Sequence, residues 1–90
     1  MQYRLAKQLE AAGWPQVGTG RWISDPASLV ARGRIYAPTL EELIEACGAA
    51  LVSLSREENG RWTAYGSAGL TVVGSDPVEV AARLWLQMRR

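Results

Sequence analysis

The stretch that most constrains this chain is residues 38–48, Pro-Thr-Leu-Glu-Glu-Leu-Ile-Glu-Ala-Cys-Gly, which carries the start, the face and the stop of a helix. Thr39 can cap the first turn, and Glu42 completes a capping box in which each side chain satisfies the other's orphan amide. Leu40, Leu43, Ile44 and Cys47 recur at helical spacing and form one apolar stripe, with Glu41, Glu42 and Glu45 off it. The glutamates suit the positive end of the helix dipole, and Gly48 supplies the left-handed residue that ends the helix. A helix of about nine residues is marginal in isolation, so another part of the chain must cover that stripe. This requirement implies a folded domain.

Ninety residues fit one small domain, 1–90, and a chain of that size buries roughly 60–65% of the surface its unfolded form exposes. With 48% apolar and 21% charged residues, the composition is that of a globular protein rather than a disordered one. The formal net charge of +1 provides no electrostatic footprint for nucleic acid or for an anionic membrane. Cys47, the sole cysteine, lies on the apolar stripe, which predicts a buried structural thiol and rules out a disulfide within the chain. No apolar run approaches the ~18–20 residues that span a bilayer. The amphipathic start, Met-Gln-Tyr-Arg-Leu-Ala-Lys-Gln-Leu-Glu, lacks the apolar core of a signal peptide, so the expected location is the cytoplasm.

Four further segments carry structural instructions. Residues 2–12 read as a helix with Leu5, Leu9 and Ala12 on one face. Gly13-Trp14-Pro15 ends it: Gly13 takes the left-handed position, Trp14 folds back on Leu9, and Pro15 forbids continuation. Residues 50–65 form a hairpin about Asn59-Gly60, read as a two-residue type I′ turn with positive φ at both positions. That turn pairs Glu58 with Arg61, Glu57 with Trp62 and Leu54 with Tyr65. It sets Val52, Leu54, Thr63 and Tyr65 on one face, and Trp62 and Ala64 on the other. A strand at 70–73 follows. The last helix starts with Asp76 as cap, Pro77 in the first turn and Glu79 as capping-box partner, and its stripe is Val78, Ala81, Ala82, Trp85 and Met88.

Residues 16–37 are less determined. Short strands at 21–24 and 34–37 flank an Asp25-Pro26 helix start that Gly33 can end. The resulting expectation is an α+β domain of about three helices and an antiparallel sheet of three or more strands. The central and last helices lie on one face of that sheet, with the first helix nearby. The expected core is Leu5, Leu9, Leu40, Leu43, Ile44, Val52, Leu54, Val72, Val78, Ala82 and Trp85.

Catalytic groupings are scarce. There is no histidine, so no Ser-His or Cys-His pair can form, and one cysteine cannot build a thiolate metal site. Gly66-Ser67-Ala68-Gly69 lacks the Gly-Lys-Ser/Thr ending of a phosphate loop, and Gly18-Thr19-Gly20 lacks a dinucleotide fingerprint. Glu41, Glu42 and Glu45 lie off the apolar stripe, where no apolar pocket can raise a pKa for acid–base work. The expectation is a non-enzymatic protein with no cofactor and no metal.

Recognition is the remaining class. Four tryptophans occur, and Trp14 and Trp85 already have core roles. Trp22 and Trp62 each follow Gly-Arg, which nominates Arg21, Trp22, Arg61 and Trp62 as an interaction surface, because Trp and Arg are favoured anchors at protein interfaces. The alternative is that helices cover both hairpin faces, or that Arg61 rests over its neighbour's ring.

Taken in order, Leu-Ala-Lys-Gln-Leu, Ala-Gly-Trp-Pro-Gln, Tyr-Ala-Pro-Thr-Leu-Glu-Glu-Leu-Ile-Glu-Ala-Cys-Gly, Trp-Thr-Ala-Tyr and Gly-Ser-Asp-Pro-Val-Glu-Val-Ala-Ala-Arg-Leu-Trp-Leu resemble small uncharacterised proteins encoded in bacteriophage and prophage genomes. The resemblance covers most of the chain and is poorest over 17–35. It implies a phage context and the cytoplasm of a host bacterium, and it brings no catalytic residue. The function expected from all this is an accessory protein that binds a host or phage protein. A self-associating structural protein is the alternative, and weak nucleic-acid binding, requiring steeply salt-dependent affinity, is a weaker one.

Overall fold

The computed structural model describes residues 1–24 and 34–89. The fold is α+β, with three α-helices, a two-stranded antiparallel ribbon and a three-stranded antiparallel sheet among the described residues. The chain forms two compact units, Met1–Thr39 and Leu40–Arg90. The helix start expected at Asp25-Pro26 lies outside the described residues.

In the first unit, α1 spans Tyr3–Ala11 and buries Ala6 and Leu9. Its end is the motif that Gly13-Trp14 encodes. Gly13 has φ +99°, its amide donates to the Glu10 carbonyl at 3.0 Å, and the Trp14 amide donates to the Leu9 carbonyl at 2.9 Å. These two bonds are the paired 5→2 and 6→1 contacts of a Schellman cap, and Trp14 is buried beside them. The ribbon follows, with β1 (Arg21–Ile23) antiparallel to β2 (Ile35–Ala37). Its register pairs Arg21 with Ala37, Trp22 with Tyr36 and Ile23 with Ile35. All three residues of β2 are buried, and α1 packs on that strand.

The second unit contains α2 (Leu40–Cys47), β3 (Leu51–Arg56), β4 (Trp62–Gly66), β5 (Thr71–Gly74) and α3 (Pro77–Met88), with the strands in the order β3-β4-β5. The α3 start follows its sequence closely. The Asp76 carboxylate accepts from the Glu79 amide at 2.9 Å, with Pro77 in the first turn. Glu79 departs in one detail from the expected box. Its Oε2 accepts from the Ser75 hydroxyl at 3.0 Å and the Ser75 amide at 3.3 Å, one residue upstream of the cap. Its other oxygen pairs with Arg83 at 2.8 Å, one turn further along.

The hairpin register differs from the expected one by a single residue. Glu57, rather than Glu58, faces Arg61 across the turn: its amide donates to the Arg61 carbonyl at 2.7 Å, and the Gly60 amide donates to the Glu57 carbonyl at 3.0 Å. The loop is therefore the three residues 58–60, and only Gly60 takes positive φ, at +84°. Asn59 contributes its side chain instead, with Oδ1 accepting from the Arg61 amide at 3.0 Å. The strands pair Arg56 with Trp62, Ser55 with Thr63, Leu54 with Ala64 and Ser53 with Tyr65. Because side chains alternate, the one-residue change regroups the faces. Leu54 joins Trp62, Ala64 and Val72 on the side toward α3, and Thr63 and Tyr65 lie on the outer side. A side chain added at Gly66 would come within 2.8 Å of Leu84, and one at Gly74 within 2.8 Å of Val80, which locates α3 against that inner face.

α3, rather than α2, organises this unit. One flank, through Val80 and Leu84, lies on the sheet. Another meets α2, where the Cys47 thiol donates to the Ala81 carbonyl at 3.9 Å. The main partner of α2 is thus α3, where the expectation put both helices on the sheet. The buried set changes accordingly. Leu9, Leu43, Val72, Ala82 and Trp85 are core residues as expected, and Leu5, Leu40, Leu54 and Val78 are half-buried. Ile44 and Val52 are exposed. Ile44 lies one helical step round α2 from Leu43, off the line that Leu43 and Cys47 present to α3. Val52 sits where the β3–β4 pairing shifts register between Leu51 and Ser53. Tyr36, Val80 and Leu84 are fully buried and were not among the residues the pattern nominated.

Candidate interaction surface

The expected surface residues are Arg21, Trp22, Arg61 and Trp62, and the structure places them differently. Arg21 and Trp22 are exposed on β1 in the first unit. Arg61 is exposed beside the hairpin loop, whereas Trp62 is half-buried in the second unit. Trp62 alternates in step with the buried Ala64 on the face toward α3. Of the two readings left open for Trp62, an exposed ring or one covered by a helix, its half-burial on the face toward α3 fits the covered one.

Trp22 keeps 51% of its surface accessible, a large exposure for an aromatic side chain. It is also well supported from below. Its cross-strand partner Tyr36 is fully buried, and the two rings meet edge to face with centroids 5.7 Å apart and planes at 68°. Such pairs add roughly 0.5–1.5 kcal/mol beyond area burial. Tyr36 is itself fixed through both main chain and side chain. Its amide donates to Gln16 Oε1 at 2.9 Å, and Gln16 Nε2 donates in turn to the Trp14 carbonyl at 3.1 Å. Its hydroxyl accepts from the Gly20 amide. A Cβ at Gly20 would overlap the Ala37 carbonyl oxygen and press on the Tyr36 ring, so this close approach requires glycine. Gln16, Gly20 and Tyr36 thus form a polar scaffold that orients an exposed indole. Arg21 adjoins Trp22 in sequence but points to the opposite side of the ribbon, since neighbours on a strand alternate.

A second exposed apolar group lies on the outer face of the three-stranded sheet. Tyr65 and Val73 are both exposed there, and β3 and β5 are the strands at the sheet edges. The two-residue turn expected at Asn59-Gly60 groups Tyr65 with Leu54, whereas the observed register sets Leu54 on the opposite face.

Groups capable of bond chemistry are sparse among the described residues. Burial raises the Cys47 thiol above its ordinary value, so it stays protonated near neutrality. Glu41 and Glu45 are exposed. Among the described residues, no group of three or more His, Cys, Asp or Glu side chains is placed to hold a metal ion. Nor, among the same residues, is any helix long and apolar enough to cross a membrane. The Arg89 guanidinium lies 4.7 Å from the centre of the Trp85 ring, and the Lys7 ammonium lies 5.7 Å from that of Tyr3. Comparison of the chain with family models, with curated proteins and with solved structures finds no match.

Proposed function

We propose that this chain is a non-enzymatic protein-binding module whose contact surface centres on Trp22. The observation that carries this reading is an indole left about half accessible although its ring partner Tyr36 is fully buried and hydrogen-bonded to Gly20 and Gln16. An exposed tryptophan on a fixed support can bury a large apolar area in a partner while losing little conformational entropy, the economy that makes Trp a frequent interface anchor. Arg21, on the other side of the ribbon, and Arg61, in the second unit, are exposed but are not assigned to this contact, and the half-buried Trp62 supports the sheet core. Among the described residues, titratable groups in apolar surroundings are few, which supports a binding role over catalysis. An accessory role in the cytoplasm of an infected bacterium, with a host or phage protein as partner, belongs to this proposal and rests on the sequence resemblance of residues 36–48 and 74–86 alone.

The test uses immobilised wild-type chain, Trp22→Ala and Trp62→Phe to capture proteins from host lysate with and without phage infection, quantified by mass spectrometry. Trp22→Ala is expected to lose the captured set while melting within a few degrees of wild type, and Trp62→Phe to retain it. Equal capture by the wild-type and Trp22→Ala chains would refute the reading.

Self-association is a second reading, favoured by the exposed Tyr65 and Val73 and the two sheet edges. It predicts concentration-dependent mass in sedimentation equilibrium that Tyr65→Ser abolishes. Nucleic-acid binding is weaker on the formal charge of +1, and absence of binding at low salt would end it.

A further inference from the structure

We draw no further inference here: the strongest candidate, the outer face of the three-stranded sheet where Tyr65 of the central strand and Val73 of an edge strand are exposed, is an unpartnered face and nothing in the structure shows what covers it.

Discussion

Replacing Leu43 and Ile44 by alanine, one at a time, separates the side of α2 that packs from the side that does not. The two are adjacent, both aliphatic and of equal size, and the sequence pattern puts both on the apolar stripe. In the structure Leu43 has no accessible surface and Ile44 keeps 39% of its own. A buried Leu→Ala change costs ~2–5 kcal/mol, the sum of lost transfer free energy and the cavity left behind. At Ile44 solvent can fill the vacated space, so the cavity contribution falls away. Only part of the ~1.5–3 kcal/mol for a fully buried aliphatic side chain applies, and alanine recovers a few tenths through better helix propensity. The expected cost at Ile44 is therefore about 1 kcal/mol or less. With roughly 4–8 °C per kcal/mol for a domain of this size, Leu43→Ala should lower the melting temperature by about 10 °C or more, and Ile44→Ala by about 5 °C at most. Urea titrations followed by far-UV circular dichroism and tryptophan fluorescence would measure both, with an unchanged slope confirming that the unfolded reference is the same. A cost at Ile44 equal to that at Leu43 would refute the orientation of α2 against α3.

Other expectations follow from the same contacts. Gly20→Ala should cost more than about 2 kcal/mol and reduce the near-UV signal of the Trp22–Tyr36 pair, because its Cβ has no space beside the Ala37 carbonyl; a fully stable variant with an unchanged spectrum would contradict the ribbon geometry. Asp76→Ala should cost ~0.5–2 kcal/mol through loss of the cap on the Glu79 amide, read from urea midpoints, with Asp76→Asn retaining most of the stability. Burial raises the Cys47 pKa above its ordinary value in the folded chain, so the folded state holds its proton at a pH where the unfolded chain has lost it. Its contribution to stability is complete below the unfolded-state pKa and declines as pH rises through the folded one. Cys47→Ala should lack that alkaline decline, and thiolate absorbance should rise in the native protein only at higher pH than in urea.

Legibility in the sequence follows the range of the interactions involved. Gly13-Trp14 and Asp76-Pro77 specify helix ends through bonds spanning five residues or fewer, and both ends form where the local chemistry puts them. The buried positions of Trp14 and Trp85 and the existence of the hairpin were equally readable. Ring support for Trp22 was not, because Gln16, Gly20 and Tyr36 meet across sixteen to twenty residues and no local periodicity records such a meeting. Leu54 was paired with Tyr65 and is observed opposite Ala64, since an Asn-Gly pair serves turns of two lengths and one residue of difference regroups the faces.

By itself, then, the amino-acid order determined three helices, the Gly13-Trp14 end of α1, the Asp76 start of α3, the hairpin and the α+β class, because each rests on backbone hydrogen bonds and φ preferences within a few residues. Which apolar side chains became core was decided only in tertiary structure. Val80 and Leu84 are buried because α3 has the sheet on one flank and α2 on another, and Ile44 is exposed because α2 needed to cover only one of them. Burial depends on what arrives from elsewhere in the chain, and a stripe on one helix cannot record how wide its partner will be.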